Sequence, residues 1–527
     1  MIQPYDAIVV GAGHNGLTTA AYLAKADKRV LVLERRDIVG GVTVTQEVHT
    51  GFKFDTWVHG VGWLHPKVMR DLDLAHHGLE ILRNDPTVFA PLPDGAHLTL
   101  WQDGGKTVET LRGFSSSDAN KWGAFAERVA QVAQILEAAY SVTPPDIRAG
   151  SFDDLIKILK LGGRLRRLGR RNMMEVIRLL PMSVAEFLDE WFETDVLKGT
   201  LGASGISGIF QGPRASGTTF ILAHHHVGSP KGVFRSLGLV RGGVGNLSAA
   251  LAGAARQHGA EIRTGAEVEQ VVIVEGQARG VVLASGEEIA ASQIISNADP
   301  HATFLGLVGP LNLPQDFVQK VRNIKFRGAC ARVNLALDEL PSFTSLPGDG
   351  PHLRGVISIS PSLNYLERAY DDAKYGGISQ QPYLEASIPS LADPTLAPSG
   401  KHVMTIAVQY APYQLKQGLW DDAQRELLFD TVVETLTEYA PNLTGAILHS
   451  QVLTPLDLEQ EFGLTEGNLN HGELTLDQLF FMRPVPGWAQ YRTPIKNLYL
   501  CGAGTHPGGG VAAASGYNAA REILKDA

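Results

Sequence analysis

Cysteine is scarce in this chain: Cys330 and Cys501 are the two among 527 residues. They are far apart and form no CxxC pair, which excludes a thiolate zinc site and a disulfide framework. Such cysteines read as small buried hydrophobes, and their number suits a reducing compartment. No stretch of about 20 apolar residues occurs, so no helix is expected to span a membrane. Neither a basic run nor a long apolar run precedes the first strand in MIQPYDAIVV. No signal peptide is therefore expected, and a cytoplasmic location is. Positive charge is in deficit: the net charge is −9, so nothing global attracts nucleic acid.

Glycine is what the chain has in plenty, 57 residues. At 527 residues two or more domains are expected. The segment Asp6 to Glu34 reads strand, turn, helix, strand. Ala7 to Val10 is apolar, Leu17 to Lys25 favours a helix, and RVLVL leads into Glu34. Between them lies Gly11-Ala12-Gly13-His14-Asn15-Gly16, a GxGxxG opening a helix. Gly11 permits the tight turn, Gly13 the close approach of backbone to a pyrophosphate, and Gly16 close helix–strand packing. The helix N-terminus, with Asn15 in its first turn, offers N–H groups to phosphate. Glu34 stands 18 residues beyond Gly16, placed to accept hydrogen bonds from adenosine ribose hydroxyls. Arg35 follows it, and Gly40-Gly41 bring backbone back toward the cofactor.

A second glycine turn closes the chain: Asn497 leads through Leu-Tyr-Leu-Cys to Gly502-Ala-Gly504-Thr505-His506-Pro507-Gly508-Gly509-Gly510 and an alanine-rich helix. NAD has no use for a second helix start 500 residues away. FAD, an extended molecule, has two ends to hold. A helix beginning near Val511 would point its positive end at the flavin pyrimidine ring. FAD is therefore the expected cofactor, with Gly11, Gly13, Asn15, Gly16, Glu34, Arg35, Gly41, Val268, Gly502, Thr505 and Val511 as its expected binding residues.

The middle of the chain does not read as a nucleotide fold. Lys121 to Trp191 is helical in pattern, and Glu261 to Ile295 reads as antiparallel strands joined at Glu275-Gly276-Gln277 and Ser285-Gly286. Another β-rich stretch lies between Arg327 and Gln409. Arg241-Gly242-Gly243-Val244-Gly245 has no evident strand before it, so it reads as a helix start beside the cofactor domain, with Val268 in the next strand near the adenine. GASGISGIFQG, 202–212, reads as a turn in the substrate domain. The expected architecture is α/β: a Rossmann-like FAD-binding domain of glutathione-reductase type with an inserted α+β substrate domain. Residues 1–75, 232–305 and 480–527 form the first; 76–231 and 306–479 form the second.

Two further features bear on partners. His224-His225-His226 does not suit a metal, because consecutive side chains diverge and no acid or cysteine stands at ligand spacing. Between Leu155 and Leu180 there are eight basic residues and one acid, Glu175, interleaved with leucine, isoleucine and methionine. Such a segment suits either an anionic membrane surface or a solvated face or subunit contact.

The quoted motifs, with DLDLAHHGLE, RGGVGNLSAAL, IISNADP, LTLDQLFFMRP and NLYLCGAGTHPGGGVAAASGYNAA, resemble the phytoene-desaturase-like carotenoid oxidoreductases. The nearest likeness is to the branch of desaturase-like carotene ketolases and pyridine nucleotide-disulfide oxidoreductase domain-containing protein 2. The resemblance spans nearly the whole chain. It implies a two-domain flavoprotein, one FAD and an apolar, carotenoid-like or lipid substrate. It carries cofactor roles onto Gly11, Gly13, Gly16, Glu34, Gly41 and Gly502. Many relatives have Gly-Asp where this chain has Gly502-Ala503, and an arginine where it has Tyr517. Despite the label of that relative, no redox CxxxxC is present.

The expected chemistry is hydride loss from a substrate C–H to the flavin, with loss of a proton. His506, His59 and Trp63 are the candidate catalytic residues, His506 as proton acceptor. Lacking a second nucleotide domain, the chain would pass electrons to dioxygen or a quinone. An amine or amino-acid oxidase, a flavin-dependent isomerase and a non-catalytic FAD-bound regulator are the other readings. For the basic segment, flotation with anionic liposomes is the test: wild type floats and a charge-reversed 155–180 variant does not. Both staying in solution contradicts membrane docking.

Overall fold

A computed structural model describes residues 5–58, 60–146, 162–163, 169–230 and 232–526. Its first sheet is built on Tyr5–Val10 and Val30–Leu33, apolar strands buried almost throughout, as parallel strands covered on both faces are. Tyr5–Val10 pairs in parallel with Val30–Leu33 on one side and with Glu288–Ser296 on the other. Glu261–Arg263 extends the parallel edge beyond Val30–Leu33. The far half of Glu288–Ser296 changes partner: Ile294, Ile295 and Ser296 pair in parallel with Leu498, Tyr499 and Leu500. Its near half closes an antiparallel meander with Gln277–Leu283 and Val268–Val274, turning at the Glu275-Gly276 and Ser285-Gly286 positions. Three distant pieces of chain thus share one sheet.

The helix His14–Lys25 covers that sheet, with Leu17, Ala20, Ala21, Leu23 and Ala24 buried. Two other helices pack on it, Gly245–Gln257 and Ala514–Ile523. All three are alanine-rich at their shared core, so the helices approach closely. Glycine decides two contacts. A Cβ on Gly16 would lie 2.3 Å from the Gly11 carbonyl oxygen and 3.2 Å from Asn297 Cβ; one on Gly516 would lie 2.2 Å from the Asn15 carbonyl oxygen.

The second sheet has seven strands: Ile447–Leu453, Cys330–Leu337, His402–Gln409, Tyr383–Ser387, Val356–Ile359, Val88–Pro91 and His97–Leu100, in that order. Alternation sorts its residues. Ala331, Val333, Leu335, Leu384, Ala386, Met404, Ile406 and Val408 face a core completed by Leu428, Val432 and Leu436 of the helix Asp422–Thr437. The opposite face carries Cys330, Arg332, Tyr383, Glu385, Ala407 and Gln409. A helical layer, including Ser116–Tyr140, Val184–Trp191 and Thr218–His225, packs around Trp122, Phe125, Phe187 and Phe220. Among the described residues no helix is long and apolar enough to cross a membrane.

Three readings need correction. The C-terminal helix begins at Ala514, not near Val511, because Ala513 sits in the left-handed region at φ 57° and holds the turn open. A short strand, Gly238–Val240, does precede the Arg241-Gly242-Gly243 turn, but it pairs with Ile81–Arg83, outside the cofactor sheet. Gly202 and Ala203 belong to the helix Asp195–Ala203, so the turn of 202–212 begins at Ser204. Five of the segment's eight basic residues (Lys157, Lys160, Arg164, Arg166 and Arg167) fall outside the described residues; among those described, Arg178 pairs with Glu190 and Glu175 in the helix-rich layer.

Replacing Gly16 with alanine should destabilise the protein by about 1–3 kcal/mol, the usual cost of overpacking, because backbone lies where the methyl group would go. The measurement is the urea midpoint; an unchanged midpoint contradicts the close packing described.

Candidate functional site

One cavity of about 810 Å³ runs between the two sheets, near the upper end of the ~300–1,000 Å³ usual for small-molecule sites. One end is lined by Glu34, Arg35 and the 266–269 strand start, including Val268. The Glu34 carboxylate is buried. Its Oε2 accepts from the Ala12 N–H at 2.8 Å and its Oε1 from the Arg36 N–H at 3.0 Å. Each oxygen keeps a lone pair for a further donor. Arg35 lines the wall but is tied back, donating to the Gln460 and Glu461 carbonyls.

The middle is lined by Gly11, Gly13, His14, Asn15, Gly40, Gly41 and Asn297. Gly13 caps the helix without a side-chain bond, leaving first-turn N–H groups for an anion. The Gly40 N–H donates to the Ala12 carbonyl at 2.9 Å, so the second glycine pair is docked on the first. Gly40 and Gly41 have φ of 127° and 58°, and a Cβ on Gly41 would lie 3.4 Å from Gly13 Cα. Asn297 packs its side chain against Gly11, Gly13 and Gly16. That asparagine, in IISNADP, ends the strand between the N- and C-terminal strands.

The far end is lined by Ala503, Pro507, Gly509, Gly510, Val511 and Ala512. Arg483 holds this turn. Its guanidinium is buried and donates to the Ala503 carbonyl from Nε at 3.0 Å and Nη2 at 2.8 Å, and to the carbonyls of Gly472, Glu473 and Gln478. Burial pulls it down to about 9, so it stays charged at neutral pH. The two glycine turns also meet through His14, which burial pushes down to about 4 against an opposing bond from the Gly510 backbone. His14 Nε2 and His471 Nδ1 are buried without a protein partner, and both residues line the cavity.

These features fit FAD. Glu34 suits the ribose, the uncapped helix start and Gly40-Gly41 suit the pyrophosphate, and the Pro507–Ala512 wall suits the flavin. Gly16, Gly502 and Thr505 do not line the cavity. Gly502 packs on the Asn297 carbonyl, and Thr505 Oγ1 donates to the Gly502 carbonyl at 2.8 Å; both shape the turn from behind.

Of the proposed catalytic residues, Trp63 lines the cavity and its indole Nε1 has no protein partner. His59 lies outside the described residues. His506 requires correction: it does not line the cavity. Its ring is buried between Tyr140 and Phe480, with Nε2 3.0 Å from the Ala139 carbonyl, and burial pushes it down to about 4. It anchors the turn to the helix Ser116–Tyr140. Tyr517, in the place of the arginine common in relatives, packs in the helix layer against Tyr22 and His65, with Arg521 over its ring.

Sequence reasoning missed the opposite wall. Cys330, Arg332, Tyr383, Glu385 and Gln409 line the cavity, joined by Arg235, Ser207 and Gly208. The first two histidines of the triple, His224 and His225, also line it; burial lowers them to about 3 and about 4. His224 Nδ1 lies 2.8 Å from the Tyr140 hydroxyl, and His225 Nδ1 2.8 Å from the Ser204 carbonyl.

The family described as "Flavin containing amine oxidoreductase" matches residues 16–524. The chain belongs to this family. As a member of this flavoprotein family it uses FAD, which when bound supplies a two-electron acceptor for hydride. It is 38% identical to pyridine nucleotide-disulfide oxidoreductase domain-containing protein 2 of Rattus norvegicus, over 99% of this chain and 94% of that one. It is 28% identical to a limonene dehydrogenase subunit of Castellaniella defragrans, over 100% and 95%. It is 26% identical to a phytoene desaturase (neurosporene-forming) of Cereibacter sphaeroides, over 96% and 91%. The desaturase-like resemblance therefore stands. The fold matches the crystal structure of an oxidoreductase from Methanosarcina mazei with a TM-score of 0.62 at 19% identity, covering 98% of this chain and 99% of that one.

Replacing Glu34 with glutamine should weaken FAD binding by about tenfold or more, since hydrogen bonds to a charged acceptor are worth ~1.5–3 kcal/mol. Equilibrium dialysis with FAD measures it; wild-type affinity would remove Glu34 from the cofactor site.

Proposed function

We propose that this flavin-dependent oxidoreductase withdraws hydride from a C–H of a largely apolar substrate, isoprenoid-like or lipid, leaving a new double bond or related oxidised product. The observation that carries the reading is the continuity of one cavity from the dinucleotide fingerprint, past the Pro507–Ala512 turn, to a chamber bounded by Trp57, Val58, Trp63, Val227, Leu237 and Leu469. These side chains exclude water and orient an apolar body. The names of two relatives, a limonene dehydrogenase and a phytoene desaturase, agree with a hydrocarbon-like substrate. Dioxygen or a quinone is the proposed acceptor of the electrons, and the basic 155–180 segment is the proposed contact with a membrane.

Anaerobic titration of the yellow protein with isoprenoids, carotenoids, fatty acyl compounds and amines tests the reading through the flavin spectrum. Bleaching by an isoprenoid or lipid is expected. Bleaching by amines alone would overturn it.

A further inference from the structure

The chamber is apolar on its sides, but one helix end brings two imidazoles to it. The helix Thr218–His225 stops against the cavity, and its last two residues, His224 and His225, both line the wall. Their rings stand 5.4 Å apart, centroid to centroid, and are inclined at 67°. They lie at the flavin end. A Cβ on Gly510 would come 3.8 Å from His224 Nε2, and Gly510 belongs to the wall that suits the flavin.

The hydrogen bonds decide which nitrogen of each ring carries the proton. A carbonyl only accepts, so His225 Nδ1, 2.8 Å from the Ser204 carbonyl, is an N–H. Burial, then the charge of Arg235, pushes His225 down to about 4. The ring is therefore neutral, and its Nε2 keeps a lone pair. His224 is the reverse. Burial holds the proton on the Tyr140 phenol, and a buried donor needs an acceptor. His224 Nδ1 is that acceptor, 2.8 Å away. Burial pushes His224 down to about 3, so its single proton sits on Nε2. Neither Nε2 has a partner among the described residues.

The flavin end thus offers one imidazole acceptor beside one imidazole donor. A hydroxyl is the small group that donates and accepts through a single atom. An ether or ketone oxygen would leave His225 unmatched, and a protonated amine would leave the His224 N–H unmatched. A hydrocarbon would leave both, and unmatched buried polar groups are costly.

We infer that the substrate is an apolar alcohol, whose hydroxyl accepts from His224 Nε2–H and donates to His225 Nε2. Oxidation then breaks two bonds. The carbinol carbon gives up hydride, both electrons going to the bound FAD, and the hydroxyl proton goes to His225 Nε2. A C=O double bond forms between the two atoms left, and its oxygen keeps the hydrogen bond from His224. The product is an aldehyde or ketone. His225 is the catalytic base, and Tyr140 is the positioning residue that keeps the His224 proton on Nε2. This inference rests on the apolar-substrate reading given above and specifies it.

The test uses the FAD-loaded enzyme under anaerobic conditions. The probes are geraniol, farnesol and geranylgeraniol, each beside its methyl ether and the matching hydrocarbon. Binding is read from the shift in the flavin absorption bands, and oxidation from flavin bleaching with recovery of the aldehyde. At least one alcohol is expected to bleach the flavin, more slowly when deuterated at the carbinol carbon. It is also expected to bind at least about tenfold more tightly than its ether or hydrocarbon. His225→Asn, which keeps an N–H for Ser204 but has no base, should slow bleaching by about a hundredfold or more while the alcohol still binds. His224→Leu should erase the alcohol's binding advantage, and it keeps the test available if His225→Asn does not fold. Bleaching of His225→Asn at the wild-type rate overturns the inference. Hydrocarbons that bind and bleach as well as the alcohols overturn the hydroxyl while leaving the apolar reading standing. Failure of every probe to perturb the flavin overturns both.

Discussion

The site depends on one close approach, the C-terminal helix lying on the N-terminal one at Gly516. There a Cβ would come within 2.2 Å of the Asn15 carbonyl oxygen. Thr19 Oγ1 adds a hydrogen bond to the Gly516 carbonyl at 3.0 Å, and the Gly516 N–H reaches Asn15 Oδ1 at 3.3 Å. Because Asn15 is also in the first turn of the helix that faces the pyrophosphate region, the contact sets the spacing between the two halves of the cofactor site. The strands below repeat the constraint: Glu288–Ser296 pairs with both Tyr5–Val10 and Leu498–Leu500. Residues from the two ends of the chain are thereby held in one fixed spacing, which an extended ligand gripped at both ends requires.

The cofactor half was legible in the sequence because its signals are local. A GxGxxG between two apolar runs, an acid at the end of the second strand and a glycine-rich turn before the last helix all lie within short windows. The relation between the turns was also legible, since only an extended ligand explains both. What stayed hidden was made by sheet register. Arg332, Glu385 and Ala407 come from three different strands and carry no motif. The one trace is alternation: in CARVNLAL the apolar residues Ala331, Val333 and Leu335 take one face, leaving Cys330, Arg332 and Asn334 on the other. Arg483 was hidden for a different reason. Its partners are backbone carbonyls, which have no sequence signature.

His506 shows how a local reading misplaces a side chain. It stands within a glycine turn next to cavity-lining Pro507, so proximity in sequence suggests a catalytic role. The turn instead points the ring away from the cavity, to the Ala139 carbonyl, and the Arg483 guanidinium gathers the surrounding carbonyls. The wall that faces the chamber from this segment is mostly backbone. Polar side chains on the opposite wall come from the second sheet and from Arg235. The two sheets divide the cavity: the first, with the terminal turns, carries the dinucleotide fingerprint, and the second lines the opposite wall.

The helix contact at Gly516 joins the two turns, and FAD affinity of a Gly516→Val variant measures it most directly. The bulkier side chain should push the last helix from the first and weaken FAD binding by about tenfold or more, consistent with an overpacking cost of ~1–3 kcal/mol, while far-ultraviolet circular dichroism keeps its wild-type shape. A folded Gly516→Val protein that retains FAD with wild-type affinity and stoichiometry would contradict it.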